Sequence, residues 1–466
     1  MTPIRLRGLA RSRSVILLSA LTLLGAVLTP AAPALSAAPS TWPQFGQNAQ
    51  HLNVNPAETA FNPRNVASLR VTTTDHMGTN ASSYGGPAVA GGVAYAAGSD
   101  GILSAFRVAG CGAATCEPLW QGHTDAGIYD TPAVTGDAVL VGSSDHFLYA
   151  FPAAGCGRAT CPPRWKGQLA DAPLYSSPAV SGGVAYIGDF SGRLYAFNAR
   201  GCGRAVCQPL WTGQAPADTE LISSPAVGGG SVYIGSVINT PDDNTGSLLV
   251  FPAAGCGKAT CAPSWTADLG GPTPPNAAPV VAGNKVFAGS STRFGGPNGN
   301  AHLFAFPAGG CGRKTCAPSQ SYDVGPDGIA AGPAVVGKTL FVTTENTPDP
   351  NTVGVLAAYS TAGCGSALCQ PSWTGVNFGF GFMSQPAVAG GVVFVAKGPA
   401  SGFPVDAGLY AFDRDGCGAT VCQPLTFVQF STEQVYLGQP VAIAEGRVLT
   451  ASQESAGASN IYVVSR

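Results

Sequence analysis

The chain has 466 residues, 45% hydrophobic and only 10% charged, with a formal net charge of −2. Nucleic-acid binding is excluded as a leading function, because it needs clustered Lys and Arg to displace phosphate counterions. Disorder is excluded by the apolar content, so the 63 glycines and 38 prolines imply many turns between short, buried strands.

Residues 1–38 read as a secretory signal peptide. Arg5, Arg7, Arg11 and Arg13 precede an apolar run from Val15 to Leu28, and Ser36-Ala37-Ala38 fits a small-x-small cleavage site. The run is too short for a comfortable bilayer span. No Arg-Arg pair suggests a twin-arginine route, and the first cysteine, Cys111, lies too far on for a lipoprotein. The expectation is a secreted, soluble, monomeric protein starting near Pro39. Loss of four arginines leaves it 19 basic against 25 acidic residues, a net of −6.

Residues 39–83 are expected to form a lead-in and a strand, and residues 84–466 a repeat array. Eight Pro-Ala-Val strands or variants begin at Pro87, Pro132, Pro178, Pro225, Pro279, Pro333, Pro386 and Pro440. Fourteen cysteines fall into seven pairs, Cys111/Cys116, Cys156/Cys161, Cys202/Cys207, Cys256/Cys261, Cys311/Cys316, Cys364/Cys369 and Cys417/Cys422. Their first members lie 45 to 55 residues apart. That period points to propeller blades. One unit, Ser176 to Trp211, contains Ser-Ser-Pro-Ala-Val, Val-Ala-Tyr-Ile-Gly, Arg-Leu-Tyr-Ala-Phe and Pro-Leu-Trp. Such β-branched and aromatic runs, bounded by Gly, Pro and Ser, read as four antiparallel strands. The eighth unit ends at Arg466 after three strands. Ser68-Leu69-Arg70-Val71 stands where Pro118-Leu119-Trp120-Gln121 would, so the N-terminus is expected to supply the fourth strand and close the ring. The fold class is therefore an all-β, eight-bladed propeller.

In a secreted chain, seven local cysteine pairs are expected to be hairpin disulfides, worth about 2 kcal/mol each by loop-closure entropy. Thiolate metal sites are the rival, but structural zinc needs four converging ligands and the hairpins hold their pairs apart. Trp120, Trp165, Trp211, Trp265 and Trp373 each follow a second cysteine by four positions, with Gln320 and Thr426 in two units. Their expected role is packing between blades.

These units, with the opening Trp42-Pro-Gln-Phe-Gly and Asn65-Val-Ala-Ser-Leu69, resemble the repeats and lead-in of quinoprotein-type (PQQ-like) β-propellers. The resemblance implies the fold over residues 42–466, but the family includes dehydrogenases, assembly factors and binding proteins. A dehydrogenase would sandwich PQQ, hold calcium on carboxylate and amide oxygens, and use an Asp base. The family's alcohol dehydrogenases also place an adjacent Cys-Cys disulfide against the quinone. This chain has no Cys-Cys and no Cys-x-x-Cys-His for a covalent haem. Its units carry Gly-Cys-Gly-x-x-x-Cys where the family usually runs Thr-Gly-Lys.

The expected function is a non-catalytic extracellular scaffold for a carbohydrate or protein ligand, with no cofactor. The alternative is a dehydrogenase of alcohols or sugars using PQQ and calcium; a carboxylate hydrolase is a third reading. The face bearing the strand two–three turns is the expected site. Its turns are short in blades one to three and long at 239–246, 292–300, 345–353, 399–408 and 454–460. Ligand-binding candidates there are Tyr84, Tyr129 and Tyr175, three positions before strand-one prolines, with Asp130 and the alternating Phe378, Phe380 and Phe382. The tyrosines and phenylalanines could equally plug the channel, and Asp125, Asp130, Asp145 and His146 could be turn caps. Asp242-Asp243-Asn244 and Glu345-Asn346 with Asp349 offer oxygens for calcium, without the spaced pattern of a dedicated loop.

Overall fold

The computed structural model describes residues 40–466 apart from 80–83, 239–244, 272, 275–276, 292–301, 326–327, 345–353, 377–382, 399–406, 431–434, 437–438 and 455–457. Eight antiparallel sheets follow one another along the chain. Blade one comprises Ala88–Ala90, Val93–Ala97, Ile102–Arg107 and Trp120–His123, in spatial order from first to fourth strand. The middle strands are apolar on both faces because both are covered by neighbouring blades. In blade three, Leu194, Tyr195, Ala196 and Phe197 are all buried, whereas the flanking Arg193 and Asn198 are exposed. One core cluster joins Leu140, Leu148 and Trp165 of blade two to Ile187, Tyr195 and Phe197 of blade three. Hydroxyls cross the same boundaries: Tyr95 donates to Ala153 O, Tyr186 to Ala253 O and Tyr233 to Ala308 O, at 2.7–3.0 Å.

Ring closure is as expected, with a different register. Arg70–Thr79 pairs antiparallel with Ala458–Ser465 and is the fourth strand of blade eight. Thr73 stands opposite Val463, as Trp120 stands opposite Ala105, so Thr73 takes the tryptophan position expected for Arg70. The three-residue offset arises because Arg70 and Val71 extend the pairing to Ser465 and Val464, and the ladder then shifts register before Thr73.

All seven local pairs are disulfides, with Cα–Cα separations of 5.6–5.8 Å. Each hairpin does more than close its own turn. Thr160–Cys161 of blade two adds in parallel to the outer edge of Trp120–His123 in blade one, and Gln121 N–H donates to Ala159 O at 2.7 Å. The same clip recurs through Lys166 to Ala205 O, Thr212 to Ala259 O, Thr266 to Lys314 O and Thr374 to Thr420 O. Leu368–Cys369 pairs with Ser321 and Tyr322, and Thr74 N–H reaches Ala114 O across the closing strand.

The two cysteines of a pair differ in environment. The first members, Cys111, Cys156, Cys202, Cys256, Cys311, Cys364 and Cys417, are exposed. The second members, Cys116, Cys161, Cys207, Cys261, Cys316, Cys369 and Cys422, are only 1–3% exposed. The reason is the clip, whose parallel pairing draws the second cysteine onto the preceding blade. Cys207 stands beside Gly167, Cys261 beside Gly213 and Cys422 beside Gly375. Cys207, Cys261 and Cys422 thereby join the apolar clusters that hold Trp165, Trp211 and Trp373. Each disulfide ties an exposed turn to the buried seam between two blades.

In five of the seven hairpins the glycine before the first cysteine fits over the preceding tryptophan, while Gly110 faces Thr73 and Gly363 faces Gln320. A Cβ on Gly155, whose φ is +74°, would lie 2.6 Å from Trp120 Cδ1. This explains both the Gly-Cys motif and the regular tryptophans, which are 4–8% exposed. Among the described residues no cysteine hairpin clips the junction between blades seven and eight.

The lead-in seals one end of the central channel. Strand one of each blade lines the channel and would leave backbone groups facing the axis, which need partners. Trp42 exchanges two hydrogen bonds with Val89. Val134, Val281 and Val335 donate their N–H to the carbonyls of Pro43, Gln50 and Leu52, and Val227 donates to Ala49 O. Val180 N–H uses Gln44 Oε1, Val388 pairs with Asn53 and Asn55, and Asn55 Nδ2 donates to Ile443 O. One 14-residue stretch thus meets the equivalent position of all eight blades. Gln47, His51 and Asn53, with φ of 56–74°, let it curve so tightly. It leaves past the strand one–two turns, where Glu58 accepts from Gly446 N–H and Phe61 packs on Phe394. Among the described residues no helix is long and apolar enough to cross a membrane.

Candidate functional site

Strand one runs from the blade-to-blade connection towards the sealed end, so residues just before it stand at the opposite mouth. Tyr84, Tyr129 and Tyr175 converge there from blades one, two and three. Their ring centroids are 5.2 Å apart (Tyr84–Tyr129), 5.8 Å (Tyr84–Tyr175) and 6.0 Å (Tyr129–Tyr175). The distance between blades one and three falls between the two distances that join adjacent blades, so the rings form a triangle. Interplanar angles of 48–69° are those of tilted and edge-to-face contacts, which aromatic quadrupoles favour. Tyr175 reaches its place with φ at +65°, a conformation uncommon for a bulky residue. All three are half-buried. Burial, and then the neighbouring Tyr84 and Tyr129 hydroxyls, push the Tyr175 hydroxyl above its ordinary range.

Asp130, beside Tyr129, is 2% exposed and does not offer its carboxyl to solvent. Its Oδ2 accepts from Gly142 N–H at 2.6 Å, and its Oδ1 has no hydrogen-bond partner among the described residues. Burial drives this carboxyl well above the usual carboxylate range, only partly offset by the Gly142 bond. The other blades show what the position does. Ser176, Ser223 and Ser384 accept from the N–H twelve residues later, at Gly188, Gly235 and Ala396. Asp130 is therefore the blade-two form of a strand-fastening group. The next position fastens blade to blade: Gly86 N–H donates to Thr131 Oγ1, Thr131 N–H to Ser177 Oγ, and Ser177 N–H to Ser224 Oγ.

On the same face, Tyr149 donates its hydroxyl to Asp145 and lies 3.3 Å from Asp125 Oδ2, while Lys166 Nζ sits 4.0 Å over the Phe147 ring. Asp125 N–H also donates to Asp145 Oδ2, so these carboxylates order a turn. His146 Nε2 is 3.8 Å from Asp171. Phe378, Phe380 and Phe382 lie outside the described residues, as do both candidate calcium clusters, apart from the long loops' flanks. A lead-in over residues 39–83 is expected from the sequence, but no plug. Its signal was the density of side-chain amides and turn formers between Gln44 and Asn55, which suits a segment that must satisfy backbone groups in eight directions.

A sealed axis, clipped blades and converging tyrosines at the opposite mouth characterise this eight-bladed propeller. The family model described as outer membrane protein assembly factor BamB matches residues 60–308, more than half of the chain. The chain belongs to this PQQ-like β-propeller family. Solved structures share the fold at low identity. BamB from Moraxella catarrhalis is 15% identical with a TM-score of 0.55, over 85% of this chain and 98% of that one. A europium-containing methanol dehydrogenase is 12% identical with a TM-score of 0.62, over 92% and 98%. The quinohemoprotein alcohol dehydrogenase from Comamonas testosteroni is 13% identical with a TM-score of 0.62, over 92% and 81%. No curated protein matches the chain significantly.

Those dehydrogenases raise the question of whether residues here fit a quinone. The three rings at the mouth touch one another and leave no slot between them for a planar group. All fourteen cysteines are spent in hairpins, none as an adjacent pair. Among the described residues no three His, Cys, Asp or Glu side chains gather as a metal site. The described residues do not fit a quinone with calcium, and no redox step is derived from them.

Proposed function

We propose that this protein is a secreted, non-catalytic propeller that binds carbohydrate at its open mouth, with the tyrosine triangle as the floor of the site. The observation that carries the reading is the convergence of Tyr84, Tyr129 and Tyr175 opposite the plugged end. Half-buried rings held by one another present flat apolar area and hydroxyls at little entropic cost, the combination a sugar face uses. A rigid ring suits recognition, because nothing in the frame has to be ordered when a ligand arrives.

A glycan array probed with the mature protein tests this, followed by titration of a hit. Tyr129→Ala is expected to weaken binding at least tenfold. Arg158→Ala, on the cysteine-hairpin face, should leave it unchanged. Equal losses from both substitutions would move the site elsewhere, and hits among displayed proteins alone would replace carbohydrate as the ligand class. The fold shared with the dehydrogenases supports a second reading, quinone-dependent oxidation of alcohols or sugars. Adding PQQ and calcium separates the two: tryptophan quenching at one equivalent with dye reduction would establish the oxidoreductase.

A further inference from the structure

Among the described residues, seven of the eight fourth strands have their outer edge covered by a hairpin of the following blade. The exception is Thr426–Gln429 in blade seven. Its inner edge pairs with Gly408–Asp413 in the usual register, with Leu425 N–H on Ala411 O as Leu119 N–H is on Ala105 O. Phe427 therefore occupies the place of Gln121, and its N–H points outward as Gln121 N–H does. No described residue accepts it.

The side chain at this position changes where the clip is missing. The seven covered edges carry Thr74, Gln121, Lys166, Thr212, Thr266, Ser321 and Thr374, all polar. The bare edge carries Phe427, 36% exposed, with its ring 4.6 Å from Tyr410. Bare edges are ordinarily blunted with charge or proline, because they template pairing. An aromatic residue there does the reverse.

We propose that the outer edge of Thr426–Gln429 is a docking site for an extended segment of a partner protein. The segment adds in parallel and lays an apolar side chain on Phe427. The molecule itself supplies the template. At each clipped junction a parallel segment offers a carbonyl to the outward N–H, as Thr420 O does to Thr374, and Cys316 returns an N–H to Thr266 O. Strand addition of this kind draws affinity from main-chain bonds and specificity from alternate side chains. A second copy of this chain is a poor occupant. Its own seven hairpins are already engaged, and two-fold pairing of this edge with itself would be antiparallel.

Hydrogen exchange on the mature protein and a displayed random dodecapeptide library test the site together. The Phe427 amide is expected to exchange at least a hundredfold faster than the Thr374 and Gln121 amides. Library selection should return extended, apolar peptides that slow it. Those peptides should bind Phe427→Thr, which carries the residue found at four of the covered edges, at least tenfold more weakly. Phe427→Lys should show no saturable binding. A Phe427 amide as protected as Thr374 in the free protein would overturn the proposal. So would selected peptides that bind all three proteins alike, or a dimer that Phe427→Lys dissolves.

Discussion

The two ends of the channel are built from the same eight repeats and come out differently. At the sealed end every blade presents an equivalent backbone group, and a single non-repeating segment answers all eight. At the open end only blades one to three present tyrosines. Blades four, six and seven place Ile222, Ala330 and Met383 at the same position. Backbone groups are identical in every repeat, so a regular demand arises wherever strand one lines the axis. Side chains vary from repeat to repeat, so the mouth can become lopsided without disturbing the frame. Regularity marks what holds the ring together, and its breakdown marks where a ligand can be told apart from solvent.

The largest effect expected from breaking this contrast is at the sealed end. Deleting residues 40–55 while keeping Arg70–Thr79 leaves eight strand edges unanswered and removes the buried Trp42 and Phe45. At about 1 kcal/mol per hydrogen bond and 2–3 kcal/mol per aromatic side chain, the loss is on the order of 10 kcal/mol, read by chemical denaturation. A truncated protein as stable as the parent would show that the plug is decoration.

A smaller effect comes from acid. His51, 1% exposed in the plug, donates from Nδ1 to Pro279 O, and burial pushes its imidazole down to about 3. The unfolded chain takes up a proton near 6.5 that the folded one refuses. Stability at the sealed end is therefore fully present above pH 6.5 and falls progressively as pH drops towards 3, by on the order of 5 kcal/mol. Buried carboxyls act with the opposite sign. Asp75, beside Cys116, is raised to about 6, so its contribution is present below 3.8 and lost as pH rises through about 6. In His51→Gln the fall below pH 6.5 should flatten while the Asp75 effect remains. Parallel profiles for the two proteins would remove His51 from the account.

The smallest effect is expected at the mouth. Asp130→Ser installs the group that blade three already uses, keeps an acceptor for Gly142 N–H and removes the orphaned Oδ1. Thermal unfolding should show a change within about 1 kcal/mol, towards higher stability, because an unpaired buried polar atom is lost. A loss above 2 kcal/mol would mean that Asp130 does something its serine counterparts do not.

Much of this architecture was legible in the residues. The Pro-Ala-Val strands, the cysteine spacing and a unit lacking its fourth strand are local patterns repeated eight or seven times, and repetition turns weak signals into strong ones. The cysteine pairing was legible for the same reason, but the burial of Cys207, Cys261 and Cys422 was not, because it is imposed by the blade before. The closing strand was recognised, but its register was misplaced by three residues because Leu69 and Arg70 resemble Leu119 and Trp120 only in sequence. The shift in pairing that sets Thr73 opposite Val463 depends on Ala458–Ser465, nearly 400 residues away.

What the amino-acid order determined alone was whatever each repeat could settle within itself: strand period, turn chemistry, and a disulfide between cysteines five positions apart. What only the tertiary structure decided were the contacts between repeats and with the unrepeated lead-in. Whether Gly155 roofs Trp120, whether Trp42–Asn55 circles the axis, and whether Phe427 is left bare depend on which blade follows which around a closed ring. Those contacts join residues from about 35 to nearly 400 positions apart, and their specificity lies in the backbone hydrogen-bonding edges, which every residue type carries alike.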